Sequence, residues 1–497
     1  HGNLPEVSAE ELRQAEDEEE EEEEDESVNH ETVALTASSM PRVSAPIRID
    51  RPQVPTPLVL PKTLFNSSRS CVSIPIPSDE LSQTMDFLLG LCNALQKYGM
   101  PTHRIEHQIV WAADHLGIDA SVLVFPTYIS AMFKLKGSHS QVYSYNLNIE
   151  SNFDCDRVEL VDALVVKVAE GELSVDQGII ELRTILERKP RYSSSARLIF
   201  LTLVSGLISH LFFSAGLVEI VVSLGFGYLV GLFVILAEHS TAFTRVLEVF
   251  ISIVVSAITT ILDKTQWLGP INTNCLMMSG VIWCLPGLQI NTATLDLATH
   301  MMVSGTSRLV FAFLIIFEMG FGFAIGSKVG MFWPSTVDSS MTATATIPSW
   351  PISKWFVLLE IPLVAISLGA LLGASPRQWP ALIVATIFAS LISFMKGFFG
   401  TEISIILAQA AVILTANVYS RVYKRSGLPA TIVGSLTLIP SSMAVRGVST
   451  ALIYGDFVSA IQFTFGMILT AVSMCLGTFL VITVMTPQTS SFDPHNS

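Results

Sequence analysis

The stretch Cys275–Ile290, C-L-M-M-S-G-V-I-W-C-L-P-G-L-Q-I, decides how the rest of the chain is read. It is apolar enough to enter a bilayer, yet Pro286-Gly287 interrupts it before a comfortable span is reached. Proline removes a backbone donor and clashes with the preceding turn, and glycine permits the bend that follows. In hydrocarbon such a break is tolerated only where the freed backbone groups face protein or a wet cavity. A second broken run, Leu428–Met443, places Pro440 154 residues after Pro286. Interrupted segments at matching places in two halves point to a transporter's binding site.

Composition supports a membrane setting. Half of the 497 residues are hydrophobic and 14% are charged, against roughly 25% charged in soluble domains. The six cysteines are scattered without a C-x-x-C, which argues against a disulfide framework or a thiolate metal site. The net charge of −15 is local: residues 1–80 hold 18 acids and 6 bases, net −12, leaving −3 for the remainder. Eleven consecutive acids, Glu16–Glu26, followed by Ser/Pro-rich sequence, read as a disordered acidic tail.

Residues 81–190 read as a soluble α+β domain. Helical apolar spacing at Phe87, Leu88, Leu91 and Leu95 runs to a Gly99 stop, and a second helix over Thr102–Leu116 closes on Gly117. Strand-like runs follow at Ser121–Phe125, Tyr128–Lys134 and Gln141–Leu147, the last two joined by a turn at Lys136-Gly137-Ser138. Two more helices are expected over Asp156–Ala169 and Val175–Glu187, the latter opened by Ser174 and Gln177 at capping-box spacing.

From Arg197 the chain consists of hydrophobic segments and short loops, ten in all, with the fourth and ninth broken. Basic residues divide ten to five in favour of the side that holds the 81–190 domain, which places that domain and both termini in the cytosol. The Ser/Thr-rich loop 328–353 then lies outside. Five segments per half (197–345 and 346–485) force opposite orientations, so the expected fold is an α-helical bundle of two inverted five-helix repeats behind an N-terminal α+β domain. Residues 486–497 read as a disordered end. At the 154-residue spacing Glu248 matches Glu402 and Gly280 matches Gly434, although overall identity at that spacing is near chance.

Ionisable residues inside spans are costly and face the bundle interior or water. Glu248, Ser252, Ser256, Thr259 and Asp263 form one polar stripe on the third segment, and Glu402 and Gln409 a sparser one on the eighth. They could line a substrate pathway together with Pro286, Gly287 and Pro440; the alternative is hydrogen bonding between packed helices. Glu318, followed by Gly322 and Gly326 on the same face, is the candidate for proton coupling, with Arg308 as a base that could partner it. His210 and Glu360 are secondary candidates, and Gly227/Gly231 and Gly369/Gly373 read as packing pairs.

One motif stands out in the 81–190 domain. Thr102-His103-Arg104-Ile105-Glu106-His107 contains H-x-x-E-H, the inverted zinc-protease pattern. No third ligand is evident, so the motif reads better as a polar helix start that caps the domain or docks on the membrane part. Neither metal nor cofactor is expected.

These features together resemble the threonine/serine exporter family, in particular its fungal branch, over residues 81–485. The resemblance rests on Gly99, Pro101-Thr102-His103-Arg104-Ile105-Glu106, Lys189-Pro190-Arg191-Tyr192, Glu248, Leu285-Pro286-Gly287, Gly305, Arg308, Phe321-Gly322, Asn417-Val418-Tyr419-Ser420-Arg421 and Ile439-Pro440-Ser441-Ser442. It implies a cytosol-adjacent soluble domain followed by about ten spans, and secondary export of small hydroxy amino acids driven by a proton gradient. The chain departs from the family's Pro-Ser-Gly at the second break, and His107 is not part of the family pattern. The expected partners are a small amino acid, a proton and the lipid bilayer, with no nucleic acid; association with further copies of the chain stays open. The competing readings are a membrane-anchored signalling or scaffold protein, and a hydrolase working through His103, Glu106 and His107.

Overall fold

The computed structural model describes residues 79–126, 128–135, 142–148, 153–334, 354–438 and 441–485. The acidic run, the Lys136-Gly137-Ser138 turn, residues 335–353, Pro440 and the 486–497 end lie outside the described residues.

The N-terminal part contains α1 (Asp79–Lys97), α2 (Thr102–His115), β1 (Ile118–Val124), β2 (Tyr128–Leu135), β3 (Val142–Asn148), α3 (Cys155–Ala169) and α4 (Val175–Glu187). The strands form an antiparallel meander in the order β1-β2-β3, with Ser121 opposite Met132 and Ala131 opposite Tyr145. The apolar stripe of α1 (Phe87, Leu88, Leu91 and Leu95) is fully buried against α2, α3, α4 and β2. Gly99 turns the chain between α1 and α2 at φ +92°, a conformation that suits only glycine. Ser174 and Gln177 form the reciprocal capping box on α4.

The remaining helices fall into two series. The first is α5 (Ser194–Phe213), α6 (Leu217–Ala237), α7 (Leu247–Thr265), α8 (Thr273–Gly280), α9 (Gly287–Ala298) and α10 (Met302–Met331). A second series follows: α11 (Val357–Leu371), α12 (Trp379–Phe394), α13 (Thr401–Tyr423), α14 (Leu428–Leu436), α15 (Ser441–Tyr454) and α16 (Phe457–Val484). Among the described residues five of these are long and apolar enough to cross a membrane, or six when the bent α8–α9 pair counts as one span. The shortfall from ten has physical causes. Helix α7 carries Glu248, Asp263 and Lys264 within 19 residues, and α11 and α12 have 15 and 16 residues, short of the ~20 a perpendicular span needs. Helices α14 and α15 have 9 and 14 residues.

The two series pair in the same pattern. Helix α5 packs on α6, α7 on α10, α8 on α6 and α7, and α9 on α10; in the second series α11 packs on α12, α13 on α16, α14 on α12 and α13, and α15 on α16. Between the series, α5 meets α11, α10 meets α15, and α9 meets α16. The closest seam is α7–α10. Gly322, Gly326 and Gly330 lie against the backbone of α7, where a Cβ on Gly326 would come within 2.2 Å of the Ile253 carbonyl oxygen. Small residues let helix backbones approach this closely.

Candidate functional site

The break read from Pro286-Gly287 is a real joint. Helix α8, capped by the Asn272 side chain on the Cys275 N–H (3.1 Å), gives way to a 3-10 turn at Ile282–Cys284. Pro286 then stands at the N-cap of α9, and the two segments bend by 57°. The structure carries α9 on to Ala298, well past Ile290, through the polar run Gln289-Ile290-Asn291-Thr292-Ala293-Thr294. Gln289 Oε1 is buried there without a hydrogen-bond partner.

Helix α9 faces the second broken segment across a small cavity. Asn291 and Thr294 of α9, Gln409 of α13, Thr431 of α14, and Cys475 and Thr478 of α16 line a space of about 30 Å³, room for about two waters. Gln409 is fully buried, its Nε2 2.9 Å from Ser435 Oγ and 3.2 Å from Thr478 Oγ1. Cys475 Sγ lies 3.5 Å from the Thr294 carbonyl oxygen. Of the residues singled out from sequence, Gln409 is the one that reaches this cavity; Asn291, Thr294, Thr431 and Thr478 were missed. Hydroxyl groups in apolar segments are too common to stand out singly. The density of polar residues directly after Pro286-Gly287 was the available signal.

The α7 stripe has a different setting. Ser252 donates to the Glu248 carbonyl oxygen (2.7 Å), Ser256 to that of Phe323 on α10 (2.8 Å), and Thr259 to that of Val255 (2.7 Å). All three side chains are fully buried, and Gly322 and Gly326 press on Ser252 and Ser256. Ser256 thus bridges the seam, while Ser252 and Thr259 bond back within α7. Glu248 and Glu318 are half-buried on the two helices of this seam, close enough for their charges to interact. Glu402 is exposed at the start of α13.

Arg308 does not partner Glu318, which stands ten residues further along α10, a rise of about 15 Å. Its Nε lies 3.5 Å from Asp296 Oδ2 on α9. Asp296 is fully buried and was missed, because the hydropathy reading ended the segment at Ile290. Its Oδ1 accepts from Thr102 Oγ1 of the N-terminal part (2.6 Å) and its Oδ2 from Ser304 Oγ (3.0 Å). Thr102 and Arg308, 206 residues apart in the chain, thus meet at one carboxylate on the broken helix.

The rest of the α2 motif supports this docking. Glu106 accepts from the Val124 N–H (3.0 Å), and burial raises its pKa. His103 is pushed down to about 4, first by burial and then by the charge of Arg104. Its Nδ1 is buried without a partner. Arg104 reaches Asp162 of α3 at 3.9 Å, and His107 is exposed. Among the described residues no three His, Cys, Asp or Glu side chains converge as metal ligands. Helix α3 makes the other docking contacts. The Cys155 N–H donates to the Leu372 carbonyl oxygen (2.8 Å), and Glu159 accepts from the Gln378 amide and lies 3.9 Å from Arg425. Tyr192 Oη donates to the Ala374 carbonyl oxygen (2.8 Å). His210 and Glu360, read separately from sequence, meet at 2.7 Å between α5 and α11.

The family model described as "Putative threonine/serine exporter" matches residues 86–330. An uncharacterized protein of Schizosaccharomyces pombe is 25% identical over 75% of this chain and 45% of its own length. Pheromone-regulated membrane protein 10 of Candida glabrata is 25% identical over 73% of this chain and 46% of its own, and that of Saccharomyces cerevisiae 26% over 73% and 47%. The chain spans about half the length of the curated relatives it matches. No solved structure matches it significantly. Over residues 86–330 the chain is similar to the threonine/serine exporter family, its similarity to the fungal pheromone-regulated membrane protein 10 relatives continues beyond them, and it is a multi-pass membrane protein.

Proposed function

We propose that the chain is a secondary transporter, with ten crossings in two inverted five-helix sets, that exports a small amino acid such as threonine or serine in exchange for protons. The observation that carries this reading is the cavity between α9 and α14, one helix from each broken segment, with Asn291, Thr294, Gln409, Thr431 and Thr478 in its lining. Broken helices present unpaired backbone dipoles near mid-membrane, which suit the ammonium and carboxylate of a zwitterion. Hydroxyl and amide groups around the cavity suit a hydroxy side chain. At about 30 Å³ the space holds no amino acid, so loading requires α9 or α14 to move, as alternating access demands.

The matched pairing of the two helix series supports the repeat. The even number of crossings has separate support. The N-terminal part touches the chain at the α9–α10 junction (Asp296 and Ser304), at the α11–α12 loop (Leu372, Ala374 and Gln378) and after α13 (Arg425). In a ten-crossing path these connections all lie on the side where the first span begins, the cytosolic side in this reading. Glu318, beside Glu248, is the acid proposed to exchange the coupling proton, and Glu106 is engaged by the Val124 N–H.

The test is reconstitution of the full chain in liposomes with an imposed pH gradient. Labelled threonine or serine is expected to move against the proton flux, and Glu318→Gln to remove the pH dependence. Absence of movement for any small amino acid would overturn the transporter reading. Unchanged pH dependence in Glu318→Gln would remove that residue from the coupling step.

A further inference from the structure

Helices α5 and α11 open the two series and pack directly on each other. Each contributes one titratable group to the contact. His210 is in the last turn of α5 and Glu360 in the first turn of α11, with Nδ1 2.7 Å from Oε2. The Glu360 side chain is fully buried, and its Oε1 has no hydrogen-bond partner. The His210 side chain is 11% exposed, and Phe356 packs edge-on against its ring at 6.1 Å. The pair is therefore closed off from all but a narrow approach at one end of the bundle.

We propose that the His210–Glu360 pair is a proton-binding site whose occupancy sets how the two helix series sit against each other. This rests on the transport reading for its purpose, but its chemistry stands alone. An imidazole and a carboxyl group at hydrogen-bond distance hold one proton between them. A second proton leaves an imidazolium beside a neutral acid. Removal of the shared proton leaves a carboxylate facing a neutral imidazole, with Oε1 unsolvated. A buried charge without a partner is strongly disfavoured, so the pair either keeps its proton or separates to admit water. Because the partners sit on different series, proton occupancy and the α5–α11 contact are thermodynamically linked.

The surroundings leave this exchange to the pair itself. Helices α12 and α14, which pack on α11, carry no titratable residue. The turn leading into α11 holds Lys354. Of the elements on α5, α6 carries Glu219, Tyr228 and Glu238, α8 carries Cys275, and the 3-10 turn carries Cys284. Glu238 is paired with Arg197 at the opposite end of α5. Cys275 lies 3.8 Å from the Ser209 carbonyl oxygen, and the charges of Glu219 and Arg446 act on it, so these are the nearby ionisable groups. His210 is the group that acts on Glu360.

The experiment uses the full chain in lipid nanodiscs and in liposomes. Infrared difference spectra between acidic and alkaline buffers should show a carboxylic-acid carbonyl band that Glu360→Gln removes. His210→Asn should move the midpoint of that band by about one pH unit or more. In liposomes, the ratio of labelled-threonine movement with a pH gradient to that at equal pH should fall about tenfold in Glu360→Gln. An infrared spectrum unchanged by Glu360→Gln overturns the site. If that variant does not fold, an unshifted midpoint in His210→Asn overturns it instead. Loss of the band with full retention of the threonine ratio overturns the link between the site and the two series. A wild-type protein that shows the band but moves no threonine overturns the transport reading and upholds the proton site.

Discussion

The two broken segments are built alike and wired differently. In the first, α9 carries a buried acid, Asp296, tied to Ser304, to Arg308 and to Thr102 of the N-terminal part. In the second, the groups that hold α14 are neutral: Gln409 bridges Ser435 and Thr478. At the 154-residue spacing Asp296 corresponds to Thr450, Arg308 to Gln462 and Glu318 to Val472. At these three positions the charged groups of the first series thus stand opposite uncharged residues of the second. A neutral hydrogen-bonded joint can re-form in several positions at small cost, whereas a buried ion pair has one satisfactory arrangement. On these grounds the first joint is expected to respond to the N-terminal part and the second to shift at smaller cost.

The contrast is broken most directly at Asp296. Asp296→Ala leaves Arg308 largely buried without a counter-charge, at an expected cost of about 3–5 kcal/mol, and frees Thr102. Deuterium uptake in α2 should rise sharply, while Thr450→Ala should change stability by less than about 1 kcal/mol. Equal effects of the two substitutions would erase the distinction between the joints.

Acid sharpens the same contrast. His103 is lowered to about 4 from 6.5, so the neutral ring is favoured in the folded state. Its contribution is fully present above about pH 6.5 and is lost as pH falls toward 4, up to about 3 kcal/mol. Glu106, raised by burial, acts in the opposite sense as pH rises. Hydrogen exchange should therefore show α2 loosening between pH 6.5 and 4 with α14 unaffected, and His103→Gln should flatten the response.

Smaller effects are expected at the seam and the cavity. Gly326→Ala places a methyl 2.2 Å from the Ile253 carbonyl oxygen, a backbone atom that cannot easily yield; a loss of about 1–3 kcal/mol in thermal unfolding is expected. Gln409→Leu retains volume but removes the bridge in the neutral joint. The apparent KM for threonine should rise about tenfold, roughly 1.4 kcal/mol, with the exchange protection of α2 unchanged.

Local order was the most legible level. Ser174 and Gln177 announce the start of α4, and Gly99 the turn after α1, because caps and left-handed turns are decided by residues a few positions apart. Pro286 announces its joint for the same reason: a missing N–H acts where it stands. Pairings across the chain were not legible. Thr102 finds Asp296 194 residues away, and His210 finds Glu360 150 residues away. Ser252 and Ser256, read as either pathway lining or hydrogen bonding between packed helices, lie against Gly322 and Gly326 of α10, because a hydroxyl facing water and one facing a glycine seam read identically in one dimension.

By itself the sequence determined a helical membrane protein with two interruptions, an acidic lead segment and a helix-and-strand N-terminal part, because hydropathy, helix breaking and capping act locally along the chain. Only the tertiary structure decided which polar groups share a cavity, which knit helices together and which acid receives the N-terminal part. Those outcomes depend on which helix faces come together, and a buried polar group takes its role from its partner.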